Sequence, residues 1–149
     1  MADKTSSRTT INAPRSTVMS VIADFPAYPE WAGAVRSAEV IEAGPDGRAQ
    51  RVRFVLDAGL IKDTYVLVYE WDADVQVSWQ LAEQTSVLSA LTGRYLLADR
   101  EGSTEVTYEL TVGVRVPMIG MLKRRAEKMI IDTALRGLRK RAENTGDTQ

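Results

Sequence analysis

The sequence predicts an α+β domain in which an antiparallel sheet of about seven strands packs against one long C-terminal helix. Three observations carry this prediction. Apolar and polar residues alternate along most of 34–115, which is typical of strands with one buried face. Short turn sequences separate the alternating segments, and such short connections favour antiparallel hairpins. Residues 118–143 instead repeat apolar positions every three or four residues, as an amphipathic helix does.

The chain has 149 residues, which fits one domain over 1–149 with an ordered core of about 5–143 and a polar tail. Hydrophobic residues make up 44% and charged residues 26%, a globular composition. No run approaches the ~20 apolar residues of a membrane-spanning helix, and the start, MADKTSSRTT, lacks the apolar stretch of a signal peptide. We therefore expect a cytoplasmic protein, either a monomer or a weak dimer.

The sequence contains neither cysteine nor histidine. This excludes disulfides, thiolate nucleophiles, zinc sites with the usual nitrogen and sulfur ligands, and every histidine-based catalytic triad. We predict no metal and no cofactor. Acid–base chemistry would have to come from Asp, Glu, Lys, Tyr or a positioned water.

A first strand is predicted over 5–11, directly followed by a helix. Asn12 is the expected cap of that helix, and Pro14 suits its first turn. Pro26 is expected to end it. The helix carries a one-sided apolar stripe at helical spacing, formed by Val18, Val21, Ile22 and Phe25.

The period then changes to two, which predicts six further strands at 34–42, 50–58, 62–71, 75–82, 86–98 and 103–115. Glycine, proline and aspartate separate them, most clearly in Gly44-Pro45-Asp46-Gly47. In the strand at 34–42 neither face is favoured. In the later strands the apolar face is predicted to be formed by Tyr65, Leu67, Tyr69 and Trp71, by Val75, Val77, Trp79 and Leu81, by Val87, Leu91, Gly93, Tyr95 and Leu97, and by Thr104, Val106, Tyr108, Leu110, Val112 and Val114.

The long helix is predicted to follow Pro117. One face is apolar, with Met118, Leu122, Ala126, Met129, Ile130, Thr133, Ala134 and Gly137. The segment 118–143 holds eight Lys or Arg and three acids, a local charge of +5, whereas the whole chain has −1. This basic face has three candidate partners: an anionic membrane surface, an acidic protein, or the carboxylate of a ligand. The alternative is an ordinary solvated helix face, and the net charge gives no reason to predict nucleic-acid binding.

Four motifs carry a family resemblance: Ile11-x-Ala13-Pro14-x-x-x-Val18, Val21-Ile22-x-Asp24-Phe25-x-x-Tyr28-Pro29-x-Trp31, Gly93-x-Tyr95-x-Leu97 and Thr104-x-Val106-x-Tyr108-x-Leu110. In this order, over about 5–143, they resemble the START-like helix-grip (SRPBCC) superfamily, and more narrowly its bacterial polyketide cyclase/dehydrase-like proteins. The resemblance implies a curved sheet wrapped around the long helix, with two short helices after the first strand and an apolar cavity inside. Members bind lipids, sterols, polyketides, quinones or plant hormones, and some cyclise or hydrolyse their ligand.

We therefore expect a cavity that binds a small hydrophobic molecule such as a lipid, a polyketide or a quinone. The aromatic residues would line it, and tyrosine hydroxyls would orient the ligand. The alternative is that the same side chains fill an ordinary core. The candidate cavity residues are Trp31, Tyr65, Leu67, Tyr69, Trp71, Trp79, Leu91, Tyr95, Leu97, Val106, Tyr108, Leu110, Met118, Leu122, Ala126, Met129 and Ile130.

Binding is favoured over catalysis. The sequence shows no paired carboxylates at useful spacing, no nucleophile elbow and no phosphate-binding loop. Asp24 and Asp63 are the carboxylates nearest to inward positions, and Asp24 is expected to cap the turn after the first helix. A cyclase-like or hydrolase-like enzyme that uses a cavity Tyr or Asp is the competing hypothesis. A module that binds a partner through the basic helix is the third.

Overall fold

The structure is a computed structural model that describes residues 4–59, 62–115 and 120–147. It contains seven strands, three α-helices and one short 3-10 helix (Phe25–Ala27). The α-helices are α1 (Arg15–Ala23), α2 (Tyr28–Trp31) and α3 (Gly120–Asp147). The strands are β1 (Thr5–Ile11), β2 (Val35–Ala43), β3 (Ala49–Asp57), β4 (Lys62–Asp72), β5 (Gln76–Leu81), β6 (Leu88–Arg100) and β7 (Ser103–Val114).

The strands form one antiparallel sheet in the order β1-β7-β6-β5-β4-β3-β2. Each strand from β2 to β6 pairs with the next one along the chain, and β1 pairs with β7. α3 packs against β1, β7, α1 and α2. The predicted helix-grip architecture is confirmed, and every predicted strand lies within two residues of its observed bounds.

Two strands show why burial could not be read from alternation alone. In β6 the buried residue near the start is Leu88 rather than Val87, because a register shift between Leu88 and Ala90 interrupts the pairing with β7. β2 is an edge strand with one buried side chain, Ala38. The lack of a clear apolar face in its sequence therefore reflects its place in the sheet.

The prediction that Asn12 caps α1 is wrong. The cap position is occupied by Pro14, whose backbone is extended (φ −64°, ψ 154°), and no side chain caps the helix there. The carbonyl of Pro14 accepts a hydrogen bond from the backbone N–H of Val18 at 3.1 Å. The backbone N–H of Asn12 instead donates to the carboxylate of Glu143 at 2.8 Å, which joins the end of β1 to α3.

α1 ends at Ala23, before Pro26, which lies in the 3-10 helix that follows. Asp24 makes this turn with its backbone: its N–H donates to Val21 O at 3.3 Å and its carbonyl accepts from Ala27 N–H at 3.2 Å. The carboxylate of Asp24 makes no capping hydrogen bond, so Asp24 braces the turn with its backbone and does not cap it with its side chain. The turn is closed by main-chain groups because an α-helix cannot continue with its usual bonds into a proline.

The buried face of α3 differs from the predicted one. Met129 is 41% exposed, and Leu122 is half-buried. The buried positions are Ala126, Glu127, Ile131, Ala134, Leu135, Leu138 and Ala142. The prediction missed this stripe because it contains a carboxylate, and glutamate is almost never fully buried unless it is hydrogen-bonded.

Glu127 is fully buried and hydrogen-bonded at both carboxylate oxygens. One oxygen accepts from the hydroxyl of Thr5 and the other from the backbone N–H of Val112, both at 2.8 Å. Lys123, one turn earlier on α3, donates its ammonium to the carbonyl of Val112 at 3.0 Å. Because the pairing of β1 with β7 stops at Leu110, these two side chains bind the backbone groups that β1 leaves uncovered.

α3 also approaches α2 closely. A β-carbon at Gly137 would lie 1.8 Å from the carbonyl oxygen of Trp31. Only glycine leaves room for this contact, so Gly137 allows α3 to touch α2.

Candidate functional site

An apolar cavity lies between the sheet and helices α2 and α3. It encloses about 710 Å³ including its open mouth, and the centre of a water molecule can occupy about 70 Å³ of that space. The cavity is therefore narrow. It is lined by Tyr28, Ala32, Gly33, Ala34, Val35, Phe54, Leu56, Tyr65, Leu67, Tyr69, Trp79, Leu88, Leu91, Tyr95, Tyr108, Leu110, Val112, Ile130 and Ala134.

All five tyrosines of the sequence line this cavity. Tyr65 and Tyr69 come from β4, Tyr95 from β6, Tyr108 from β7 and Tyr28 from α2. Tyr65 and Tyr69 point to one face of the sheet because they are four positions apart on β4. Tyr95 and Tyr108 are direct cross-strand partners and share a face as well. Their rings lie 4.6 Å apart, centroid to centroid.

The five phenol groups differ in their hydrogen bonding. Tyr28 donates to the backbone carbonyl of Ile22, so its hydroxyl has a structural partner. No hydrogen bond joins the hydroxyl of Tyr65, Tyr69, Tyr95 or Tyr108 to another residue in the described part of the chain. Buried tyrosine hydroxyls usually have a hydrogen-bond partner. Because these four have none within the described chain, they remain able to bond a molecule in the cavity.

Burial raises the pKa of every one of these phenols well above the usual value near 10. Desolvation is the largest cause, since it disfavours the charged phenolate. The phenols also raise one another's pKa, because a negative charge on one would repel a charge on the next; Tyr108 acts in this way on Tyr28, Tyr65, Tyr69 and Tyr95. At neutral pH they are hydrogen-bond donors and poor bases.

A glycine positions Trp79 in the cavity wall. Gly93 on β6 is the cross-strand partner of Trp79 on β5. A β-carbon at Gly93 would lie 2.5 Å from the indole ring, so the ring lies flat over the glycine. In this position Trp79 contacts the rings of Tyr69, Tyr95 and Tyr108, with centroid separations of 5.6, 5.4 and 5.7 Å.

The cavity opens where its lining reaches solvent. Sixteen of the nineteen lining residues are buried, whereas Gly33 is exposed and Val35 and Ile130 are half-buried. These three residues define the mouth, between the connection from α2 to β2 and the middle of α3.

The described lining contains no Asp, Glu, Lys or Arg. The carboxylate of Asp63 accepts a hydrogen bond from the Thr85 hydroxyl, and that hydroxyl oxygen in turn accepts from the backbone N–H groups of Val87 and Leu88. Asp63 therefore braces the connection from β5 to β6. Neither it nor Asp24 lines the cavity, so the two candidate catalytic carboxylates lie outside it.

Nine of the seventeen candidate residues line the cavity, and that they bind a ligand stays a prediction. They are Tyr65, Leu67, Tyr69, Trp79, Leu91, Tyr95, Tyr108, Leu110 and Ile130. Met118 lies outside the described residues. The other candidates that do not line the cavity are Trp31, Trp71, Leu97, Val106, Leu122, Ala126 and Met129.

The misplaced residues have physical reasons. Trp71 lies on the correct face of β4 but near its end, where its indole N–H donates to Ala49 O at 2.7 Å and Arg48 lies 5.1 Å over its ring. Trp31 is buried outside the cavity, where its indole lies 4.7 Å from the ring of Tyr28, centroid to centroid, at an interplanar angle of 57°. Leu97, Val106 and Ala126 are buried in filled core, whereas Met129 is exposed.

Several lining residues were missed. Phe54 and Leu56 alternate on β3, and this pattern was a usable signal. Tyr28 and the small residues at 32–34 lie in a short helix and its following connection, where no periodicity marks an inward position. Ala134 was predicted to lie on the apolar face of the long helix but was not assigned to the cavity.

Half of the basic residues on α3 have partners within the chain. Lys123 bonds the Val112 carbonyl, Lys128 and Arg139 pair with acids four residues later, and Arg141 pairs with Glu30 at 2.7 Å. A partner for the whole basic face, protein or membrane, stays a prediction. None of the helices in 4–59, 62–115 and 120–147 is both long and apolar enough to cross a membrane, and no group of acidic side chains there could hold a metal ion.

Residues 11–139 match the family model described as polyketide cyclase / dehydrase and lipid transport. No curated protein sequence matches the chain. Among solved structures, a START superfamily protein from Mycobacterium smegmatis is similar with a TM-score of 0.86 and 20% identity, over 95% of this chain and 98% of that one. The Zhui aromatase/cyclase from Streptomyces sp. R1128 has a TM-score of 0.81 and 15% identity, over 98% and 96%. These likenesses show that the fold is START-like.

Proposed function

This chain belongs to the polyketide cyclase / dehydrase and lipid transport family, and we propose that it binds a small hydrophobic molecule in the cavity between the sheet and α3. The observation that carries the proposal is the cavity wall of five tyrosines, four of them without a hydrogen-bond partner among the described residues. These hydroxyls keep contact with open space, since the fully buried side-chain polar atom without a partner in the described chain is Trp31 Nε1. Donors placed in this way can bond a ligand in the cavity, which a core that served only packing would not need.

The cavity also indicates the chemistry of the ligand. Its wall is aromatic and aliphatic and carries no charge among the described lining residues, so the enclosed part of the ligand is apolar and neutral. Neutral phenols donate hydrogen bonds, so this part carries acceptors such as carbonyl or ether oxygens. The small space open to a water centre, about 70 Å³, favours a thin or flat molecule over a bulky one.

A fluorescent probe tests this proposal. We expect 1-pyrenebutanol, a flat apolar molecule with a short polar arm, to bind and to show a changed emission spectrum. Ile130→Trp, at the mouth, should weaken binding at least about tenfold by narrowing the passage. Met129→Trp is the matched control, since the preceding helix residue is 41% exposed and does not line the cavity. Equal affinity of the two variants would count against binding in the cavity.

A cyclase activity is the second candidate, favoured by the four unbonded phenols. Neutral phenols can bind carbonyl oxygens, stabilise the enolate that forms in a ring closure, and hold a chain in a folded conformation. No carboxylate or amine among the described lining residues could act as the base, so catalysis here would depend on positioning and on donated hydrogen bonds. Two of the similar structures are aromatase/cyclases.

The test of this candidate is product formation from a linear poly-β-ketone thioester. Cyclisation above the spontaneous rate that falls in Tyr95→Phe and Tyr108→Phe by a larger factor than the affinity for the pyrene probe would support an enzyme. A product distribution identical to that of the protein-free reaction would leave binding as the function.

A further inference from the structure

We propose that a basic groove beside the mouth binds the anionic end of a ligand whose apolar part lies in the cavity. The proposal rests on the proposed function and adds the ligand class: an amphipathic molecule with an acidic end, of which a carboxylate is the simplest. The basic groove runs between α2 and the C-terminal half of α3. It is lined by Glu30, Trp31, Gly33, Thr133, Arg136, Gly137, Lys140, Arg141 and Asn144.

The basic groove and the cavity meet at Gly33, which lines both. Gly33 is also one of the three residues that define the mouth. A β-carbon there would lie 2.8 Å from the methyl group of Thr133 on α3, so Gly33 and Thr133 are in contact where the cavity and the groove meet. A ligand that emerges from the mouth on this side reaches the groove along the surface, over this contact.

The charge of the groove favours an anion. Arg136 and Lys140 are exposed and one turn apart on α3, and neither forms an ion pair with another described residue. Arg141 pairs with Glu30 at 2.7 Å, so the one acid of the groove is already matched. Three cations against one acid leave a net charge of +2 among the described lining residues.

The two walls of the groove, α2 and α3, touch at Gly137, so the groove is an open depression of the surface. Gly137 lies against the carbonyl of Trp31, in the contact that a β-carbon would prevent. Arg136 and Lys140 precede and follow Gly137 in the sequence and lie one turn apart on α3. The space between α2 and α3 is about 790 Å³, counted to the open surface.

The cavity itself cannot take the charged end. Its described lining is uncharged, and burying an unpaired carboxylate in apolar surroundings is strongly unfavourable. An acidic ligand would therefore leave its charge at the surface, and the groove that shares Gly33 with the cavity holds Arg136 and Lys140, which have no acidic partner in the described chain.

The experiment compares two probes with the same pyrene body, 1-pyrenebutyrate and 1-pyrenebutanol. The test variant is Arg136→Gln with Lys140→Gln. The control is Arg124→Gln with Arg125→Gln, which removes the same two charges from the same helix outside the groove. We expect the test variant to lose about fivefold to tenfold in affinity for pyrenebutyrate, as two partly exposed charge contacts allow, with unchanged affinity for pyrenebutanol.

An equal loss of affinity for pyrenebutyrate in both double variants would mean that the positive charge of the whole helix attracts the probe, and it would overturn the proposal. Unchanged affinity in both double variants would also overturn it. Normal binding of pyrenebutanol in these cases would leave the proposed function intact. Binding of neither probe to the native chain would overturn the proposed function and this inference together.

Discussion

The interior has two ends that the same strands build in different ways. At one end, which we name the filled end, aliphatic side chains are tightly buried: Ile11, Val18, Ile22, Leu97, Val106 and Leu138 are at most 2% exposed, and none of them lines the cavity. At the other, the hollow end, the five tyrosines and Trp79 surround the cavity. On β6 and β7 the change takes place within two residues, from Leu97 to Tyr95 and from Val106 to Tyr108.

α1 explains the difference. It packs against β6, β7 and α3, and its branched side chains occupy the space over the filled end. The buried hydroxyl of Thr104 donates to Ala13 O at 2.8 Å and fixes the start of this helix on the sheet. Over the hollow end, α2 and α3 contribute Tyr28, Ile130 and Ala134 to the cavity wall, and the space between them and the sheet stays open. Rigid rings that contact one another edge to face keep their separation and leave the space open.

Alkaline pH should distinguish the ends most strongly, because all five phenols belong to the hollow end. A tyrosine in the unfolded chain ionises near pH 10, whereas burial raises the pKa of each folded phenol. The unfolded state therefore releases these phenol protons first, so the contribution of the phenols to stability is constant below about pH 10 and is lost progressively above it. Each phenol contributes about 1.4 kcal/mol per pH unit.

Absorbance of tyrosinate measures this, with circular dichroism to follow unfolding. All five phenols should ionise together as the chain unfolds. Ionisation of several tyrosines near pH 10 with retained structure would mean that the hollow end is open to water.

Gly137→Ala should have the next largest effect. The new methyl group would overlap the Trp31 carbonyl, so α2 and α3 must separate, and the expected loss of unfolding free energy is about 3 kcal/mol or more. Gly120→Ala is the control on the same helix: its β-carbon would meet only Arg124, at 3.5 Å, and alanine should stabilise the helix by up to about 1 kcal/mol. Urea denaturation measures both, and a neutral Gly137→Ala would refute the close contact.

Truncation of leucine compares the two ends directly. Leu138→Ala at the filled end should lower the unfolding free energy by about 3 kcal/mol, because it creates a new void. Leu110→Ala borders the existing cavity, where rings can move inward, so the loss should be smaller by about 1 to 2 kcal/mol. Equal losses in chemical denaturation would indicate that both ends are packed alike.

Removal of single hydroxyls should have the smallest effect on stability. Tyr28→Phe loses the bond to the Ile22 carbonyl and should cost about 1 kcal/mol. Tyr95→Phe loses no bond within the described chain and should be neutral or slightly stabilising, yet it should weaken binding of a ligand with acceptor oxygens. Thermal denaturation and titration with 1-pyrenebutanol measure the two effects, and a Tyr95→Phe variant as unstable as Tyr28→Phe would contradict the difference.

The sequence predicts the faces of the strands well, because alternation is a local property. It does not show where along a strand a neighbouring helix covers the sheet, and for this reason Leu97 and Val106 were assigned to the cavity beside Tyr95 and Tyr108. The face of α3 was misjudged for another reason. The side chain that sets it, Glu127, is polar, and its partners Thr5 and Val112 are distant in sequence.

The bonds of Glu127 and Lys123 to Val112 also bear on association between molecules. An uncovered strand edge offers paired N–H and C=O groups to any extended chain, and such edges are common starting points for aggregation. β7 extends past the last residue that β1 pairs with, so its end would be such an edge. Because α3 holds both backbone groups of Val112, a foreign strand would have to displace two side-chain bonds before it could add to the sheet there.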